Sequence, residues 1–460
     1  MKLSQLEKVT CWGLTKSIKS FILKPKNFDE VKQCIEIAEK NDLQISIRGG
    51  GNSYTDVFMN TNQIMIDTSN LTSIKKFDVH KGEITVEAGI QIGELLKKIM
   101  PNNWSLVALS GSANDRIGGM MSSNTHGKDT WSEGNFSQNI ISFKIMISDG
   151  IIKEIKKNSE IFNAVIGGLG FFGIILEVTM KLKQIESFMV KTKNTKIHNF
   201  EELFEKIYLI DKEETNFSYG LVDPFSKGNS MGRGQIESSK YVERKNCSIN
   251  EFEKFLTPKS KIGPLSPESF WKLLRIIWGN KTQKILNHIM YHKSSISNKK
   301  SVIPYPNYQY MLSSTPKLNL LFAPNGFLEL QNIFPKNKSV EAFIELISVS
   351  QEFNLHPFIC GVKRHKKDPS FLAFANDGLS ITMNFSLNKI KKKDKEKYCD
   401  KLIEIILDFK GKIYISKHAY LPKWAFQKMY PDYTKLLQIK NKIDPKNIFT
   451  SDATKRLLLE

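Results

Sequence analysis

Between residues 110 and 128 the chain reads SGSANDRIGGMMSSNTHGK, with Gly111, Gly118 and Gly119 ahead of Thr125-His126-Gly127-Lys128. So many small residues in one stretch free the backbone to take positive φ and to lie against a ligand. Open amide N–H groups in such a loop also suit a pyrophosphate. A second stretch of this character, RGGGNSYTD at 48–56, follows a strand-like run at 44–47. A third, GGLGFFG at 167–173, precedes another strand. Any one of them reads as well as an ordinary tight turn. Three, each beside a strand, predict a long nucleotide cofactor held along its length.

The third loop has the form GxGxxG, yet it leads into a β-rich run at 172–182 instead of opening a helix. The position about twenty residues on falls in a lysine-rich stretch and not on an acid, so a nicotinamide-type fingerprint is not expected. Upstream, 28–41 places Val31, Ile35 and Ala38 on one helical face. Strand-like runs follow at 44–47, 63–66 and 83–87, a helix at 91–100, and a hairpin at 140–155 around Asp149-Gly150. These elements predict an α+β domain. Beyond it, 189–221 mixes helix and strand signals and 227–267 reads as loop. Residues 270–293 carry large apolar residues with Lys272, Arg275, Lys281 and Lys284, as an interfacial amphipathic segment or a helix packed into its own domain. Helices are expected at 341–353 and 395–409, a strand at 380–387, and a compact block at 411–460.

Composition narrows the class. With 67 basic against 47 acidic residues the chain carries a formal charge of +20, a field that favours anionic partners. No zinc-finger spacing, RNP pattern or basic zipper accompanies it, so nucleic acid is not expected as a partner. Neither an apolar run of transmembrane length nor a signal-peptide core is present, which predicts a cytoplasmic protein. The five cysteines (Cys11, Cys34, Cys247, Cys360, Cys399) lack metal or redox spacing and are expected as reduced, mostly buried thiols, with no metal site.

Several separated motifs carry a specific resemblance. They are Cys11-Trp12-Gly13, RGGGNSYTD at 48–56, THGKDTWSEGNFSQNI at 125–140 and SDG at 148–150. Near the other end they are Tyr414-Ile415-Ser416-Lys417, Met429-Tyr430-Pro431 and IDPKNIFTSDATKRL at 443–457. In these the chain resembles the vanillyl-alcohol-oxidase-type (PCMH-type) FAD-binding oxidoreductases, and within them the decaprenylphosphoryl-β-D-ribose 2′-oxidase branch. The likeness is strong in both terminal blocks and thin between about 190 and 320. It implies a two-domain α+β flavoprotein. Residues 1–185 would form the FAD-binding domain, 186–410 a β-sheet-based substrate domain, and 411–460 a segment returning to the FAD domain.

Carried over by position, the resemblance places Arg48, Gly49, Gly50, Gly51, Asn52, Ser53 and Tyr54 along the cofactor. Gly111, Ile117, Gly118, Gly119, Ser123, Asn124, Thr125 and His126 would line the flavin, and Ile175 and Tyr414 would complete its contacts. Asn52 stands where covalent members have a histidine bonded to the flavin; an amide nitrogen is no such nucleophile, which predicts non-covalent FAD. Oxidation of a sugar secondary alcohol leaves the hard step to the cofactor and asks the protein for orientation and a proton acceptor or fixed charge. Lys417, His126 and Tyr54 are the catalytic candidates, Lys417 either as a neutral base or as a charged stabiliser. Gln331, Lys363, Ser380 and Thr382 are the substrate-side candidates. Glu329, Ser380 and Thr382 depart from the branch pattern, which has glutamine, asparagine and a reactive cysteine there.

The partners implied are a lipid-linked sugar phosphate, a short-chain reductase that completes epimerisation of ribose to arabinose for cell-envelope polysaccharide, and an anionic membrane surface. The chain would then sit peripherally at the inner face of the cell membrane, with 227–300 mobile and bordering the substrate opening. The alternatives are oxidation of a free sugar or aldonolactone on the same flavin fold, and a non-enzymatic polyanion-binding protein.

Overall fold

The computed structural model describes residues 2–210, 215–243, 249–296, 301–388 and 390–459. Strands β1 (Glu7–Thr10), β2 (Ser17–Leu23), β3 (Ile45–Arg48) and β4 (Ile64–Asp67) form a sheet in the order β1-β2-β4-β3, with β2 and β3 both parallel to β4. The crossover between β2 and β3 is helix α1 (Phe28–Lys40). It starts where the Asn27 side chain accepts the Glu30 amide at 2.9 Å, and Asp29 and Glu30 complement the helix dipole. Val31, Cys34, Ile35 and Ala38 recur at helical spacing on its buried face.

A second, antiparallel sheet comprises β5 (Ile74–Asp78), β6 (Glu83–Glu87), β8 (Ile140–Met146), β9 (Ile152–Lys156) and β10 (Ile174–Lys181), in the order β5-β6-β10-β8-β9. A two-residue ladder joins β7 (Trp104–Ser105) to β11 (Lys183–Gln184). Between β8 and β9, Gly150 takes φ +77° and the Asp149 carboxylate accepts the Ile151 amide, so the turn is built from its own two residues. Helices α2 (Ile92–Ile99) and α3 (Ile117–Ser123) lie between β6 and β8 in sequence, followed by the short α4 (Thr130–Glu133) and α5 (Glu160–Val165).

The remainder is organised by one antiparallel sheet of eight strands. These are β12 (Met189–Ile197), β13 (Phe217–Val222), β14 (Gly234–Val242), β15 (Ser301–Pro304), β16 (Phe327–Pro335), β17 (Cys360–His365), β18 (Gly378–Ser386) and β19 (Lys412–Ile413). Their order is β15-β12-β14-β13-β17-β18-β16-β19. Helices α6 (Phe200–Ile210), Ser339–Glu352 and Lys392–Asp408 pack beside this sheet. Residues 227–267, expected as loop, contain β14 and α7 (Ile249–Leu256). β14 reads GQIESSKYV, polar enough to pass for loop. It is a strand because β12 and β13 pair with it on both sides, burying Ser238 and Ser239. The next segment, read as an interfacial amphipathic segment or a packed helix, is two helices, α8 (Pro267–Ile277) and α9 (Asn280–Ile296).

The last residues interleave with the first. Ile45 donates to Ile448 and accepts from Thr450, forming a parallel bridge to Phe449 at the open edge of β3. Arg456 bonds Asp56, and Asp452 takes both the Thr61 amide and hydroxyl. Lys440 is wholly buried and donates to the carbonyls of Phe171 and Phe449 and to Asp444. Cys11, Cys34, Cys360 and Cys399 are buried free thiols. Cys247 lies outside the described residues.

Candidate active site

The three glycine-rich loops and one face of the eight-stranded sheet enclose a single elongated cavity, with about 2020 Å³ of atom-free space including its mouth. Gly49 to Tyr54, then Gly111, Gly118, Gly119, Ser123, Thr125 and His126, then Gly170, Gly173 and Ile175, line one side. Gly111 and Gly119 have no atom within 4 Å of where a Cβ would stand, so their backbone is bare to the void. At Gly50 a Cβ would come within 2.8 Å of the Asn114 carbonyl, so this turn admits only glycine. Among the described residues, five buried polar atoms on cavity-lining residues lack a protein partner: Arg116 Nε, Thr125 Oγ1, Gln309 Oε1, Asn384 Oδ1 and His126 Nδ1. Bare backbone beside orphaned donors and acceptors is what a polar, extended cofactor requires.

The sheet supplies the opposite wall. Glu329 and Gln331 on β16 stand opposite Asn384 and Thr382 on β18, and all four side chains line the cavity. Alternation puts them on one face. Polar residues at every second position of otherwise apolar strands mark this wall; the family resemblance points to Gln331 and Thr382 but not to Asn384. Tyr219 from β13 and Lys363 from β17 extend it. Tyr414, Ser416 and Lys417 follow β19 and close the cavity from the C-terminal side. The Tyr414 hydroxyl donates to the Ser123 carbonyl at 2.7 Å, Ser416 Oγ to Ser123 Oγ at 3.1 Å, and Ser53 Oγ to the Ser416 carbonyl at 3.1 Å. All three segments are thereby stitched at one point.

Four expected residues fall outside the lining. Ile117 is the buried first residue of α3 and points into the core. Asn124 caps α3 at φ +42°; its amide donates to Asp368 and its carbonyl oxygen accepts the Ser137 amide, so it shapes the loop from behind. Ser380 lies beyond the cavity's end, hydrogen-bonded to His365 at 2.7 Å. Arg48 turns its guanidinium toward Gly51, behind the loop instead of into the void. In each case the sequence neighbourhood was right, and the side-chain direction was set by packing.

The charged end of the cavity centres on Lys417. Its Nζ is 3.0 Å from Glu329 Oε1 and 3.5 Å from the centroid of the Tyr54 ring. Asn384 donates to the other Glu329 oxygen at 2.7 Å, and the Tyr54 phenol lies near enough to feel this carboxylate's charge. Burial first, and Glu329 second, push the Tyr54 phenol well above its ordinary range, so it remains a proton donor. His126 is held by Gln331 at 3.2 Å and packs against Tyr414 and His365. Burial, then the charges of Lys363, His365 and Lys417, drive its pKa well below the usual value and keep the imidazole neutral. Asn52 donates to Asp115 at 2.6 Å. Asn384, Tyr219, Lys128, Asp115 and Gln309 complete the site without having been singled out from the sequence, together with Glu329, named there only as a departure from the branch pattern.

Comparison with known proteins agrees with this cavity. A family model described as an FAD binding domain matches residues 20–156, and one described as D-arabinono-1,4-lactone oxidase matches 327–457. The chain is an FAD-dependent oxidoreductase of the PCMH type. It is 24% identical to decaprenylphosphoryl-beta-D-ribose oxidase of Mycolicibacterium smegmatis over 97% of this chain and 96% of that one. It is 28% identical to L-gulonolactone oxidase of Bos taurus over 34% of this chain and 36% of the relative. With D-arabinono-1,4-lactone oxidase of Candida albicans the figures are 31%, 40% and 35%. The relatives are thus sugar and lactone oxidases, and the shared activity is FAD-dependent oxidation of a sugar alcohol.

The residues fit this cofactor. The 49–54 and 111–126 loops would hold it through backbone, Thr125 and Gln309 offer unpaired oxygens, and Gly170 to Ile175 would cover its other side. Bound FAD supplies the two-electron acceptor for alcohol oxidation.

Proposed function

We propose that this enzyme oxidises the 2′-hydroxyl of a polyprenylphosphoryl-β-D-ribose to the 2′-keto sugar, with FAD bound non-covalently. The observation that carries this reading is an apolar face beside the cavity wall. Leu273, Ile276 and Ile277 on α8, and Ile285, Leu286, Ile289 and Met290 on α9, are all exposed, Ile276 by 80%. Lys272, Lys281 and Lys284 are exposed among them. The other side of α8 packs Trp271, Phe270, Leu274 and Trp278 against the 3₁₀ turn Leu318–Phe322, whose Leu318 lines the cavity. Of Phe270, Trp271, Leu274, Ile277 and Trp278, the apolar residues the sequence offers for a membrane interface, only Ile277 faces out fully; the other four form the inward face.

Basic residues around exposed aliphatic side chains suit an anionic bilayer, and a lipid-linked substrate would then stay in the membrane while its sugar enters the cavity. Among the described residues no helix is long and apolar enough to cross a membrane, so the association would be peripheral.

Within the cavity, Lys417 acts as a fixed positive charge, its amine 3.0 Å from the Glu329 carboxylate. The charge stabilises the alkoxide as the substrate hydroxyl gives its proton to the unpartnered Nδ1 of the neutral His126 imidazole, and Tyr54, kept protonated by burial, orients the sugar. A short-chain reductase would consume the keto product, at the inner face of the cell membrane, in cell-envelope polysaccharide synthesis. The second reading, oxidation of an aldonolactone, is favoured by the lactone-oxidase match across the Glu329 and Lys417 segments. Anaerobic bleaching of the flavin by farnesylphosphoryl-β-D-ribose, against L-gulono-1,4-lactone and free ribose, separates them. Bleaching by the lactone alone would overturn the first.

A further inference from the structure

Two lysines in the cavity have no opposite charge beside them. Lys128, two residues beyond His126, is buried; its Nζ donates to the Tyr308 carbonyl at 2.8 Å and lies 3.8 Å from the Tyr308 ring centroid. Lys363 enters the same void from β17. Both amines stand 5.7 Å from the centroid of one ring, Tyr219. That ring fits because β17 carries glycine at 361, where a Cβ would strike the Tyr219 hydroxyl. Among the described residues neither amine has a carboxylate oxygen within 4.0 Å, whereas Lys417 has Glu329.

The acids nearest them are committed or distant. Glu329 pairs with Lys417, the Asp129 carboxylate takes the Ala108 amide, and Glu237 attracts Lys128 from beyond ion-pair distance. His126 and His365, on the same side, are held neutral by burial. Burial lowers both amines to about 8, with the neighbouring charges of Lys128 and Lys417 adding to the effect on Lys363. They are still mostly protonated at neutral pH. A chain ordinarily avoids burying ammonium groups in this way unless a counter-charge arrives.

We infer that Lys128 and Lys363 form an oxyanion subsite that takes the phosphate of the substrate. This inference rests on the proposed function and gives that cavity its selectivity. A phosphodiester brings the negative charge that both amines lack, whereas a neutral sugar or lactone leaves them unpaired.

The test is isothermal titration of the FAD-loaded protein with farnesylphosphoryl-β-D-ribose, uncharged farnesyl β-D-riboside and ribose 1-phosphate. The phosphodiester is expected to bind at least about tenfold more tightly than the uncharged riboside, and K363Q to remove most of that preference while K363R retains it. Ribose 1-phosphate separates a free sugar phosphate from a lipid-linked one: tighter binding of the monoester keeps the subsite and assigns it the soluble ligand. Equal affinity for the charged and uncharged ribosides in wild type, or an undiminished preference in K363Q, overturns the inference. If K363Q does not fold, competition of inorganic phosphate against the phosphodiester in wild type replaces it, and absence of competition overturns the inference. Flavin bleaching is read in parallel. Bleaching without a phosphate preference fells the subsite and leaves the proposed function; a Lys363-dependent preference without bleaching does the reverse.

Discussion

Lys417→Ala is the substitution that bears most directly on the chemistry. The amine sits 3.0 Å from Glu329, and at an effective dielectric near 20 two unit charges at that distance attract by about 5 kcal/mol before desolvation is counted. A substrate alkoxide at a similar distance would gain a comparable gross amount, of which part is returned on desolvation. Positioned groups of this kind contribute about 10²–10⁴-fold, or about 2.7–5.4 kcal/mol of barrier. Anaerobic stopped-flow reduction of the flavin by substrate should therefore slow by at least about a hundredfold, with FAD still bound. The substitution also strands Glu329, whose side chain is only 7% exposed, so lowered stability must be separated from lost chemistry. Lys417→Met combined with Glu329→Gln removes both charges; it should recover thermal stability but not the rate. Lys417→Arg should keep part of the rate, since it keeps charge but changes its shape and reach. Reduction by Lys417→Ala within about threefold of wild type would remove this residue from transition-state stabilisation.

Other consequences follow from the same geometry. Acid or heat denaturation should release all of the flavin into the supernatant, and yellow precipitate would overturn the argument from Asn52. Lys440→Met leaves Asp444 and two carbonyls without their buried cation, so equilibrium unfolding should show a loss of about 3–5 kcal/mol; a change below about 1 kcal/mol would show that the tether does not hold the C-terminal segment. Because burial leaves Lys128 and Lys363 with pKa values of about 8, rising pH neutralises them, and affinity for a phosphorylated substrate should fall above that pH. A flat profile to pH 9.5, about thirtyfold past that midpoint, would contradict it. Ile276→Glu with Ile289→Glu should abolish flotation with anionic liposomes, which high salt should also weaken; unchanged flotation would move the membrane contact elsewhere.

Local chemistry explains which parts were legible. Helix α1 announces itself through Asn27, an acidic first turn and apolar residues at helical spacing, and the hairpin turn through Asp149-Gly150; both signals lie within a few residues of the structure they specify. The glycine loops were legible because Gly50 and Gly51 have no substitute at their positions. β14 was missed because it is a strand by virtue of neighbours from 189–197 and 217–222, which its own Ser-Ser-Lys sequence does not reveal. Side-chain direction was the other loss. Asn124 and Thr125 are adjacent in one loop, yet the first reaches back to Asp368 across the fold while the second faces the void.

The same limit explains α8. Its apolar residues nearly encircle it, so composition did not tell which face meets protein, and the aromatic residues looked the better membrane ligands. Packing decided otherwise, because the large rings fill the space over Leu318–Phe322 and leave the smaller aliphatic residues outside. Removing an outward isoleucine therefore touches no cavity residue, whereas truncating Trp271, whose indole donates to the Pro316 carbonyl at 2.7 Å, would loosen the wall of the site. Trp271→Ala should accordingly impair flavin reduction by a soluble, tail-free substrate analogue in detergent-free buffer, where Ile276→Glu should not. Equal effects of the two on that soluble reaction would show that α8 does not separate a membrane-facing side from a cavity-supporting one.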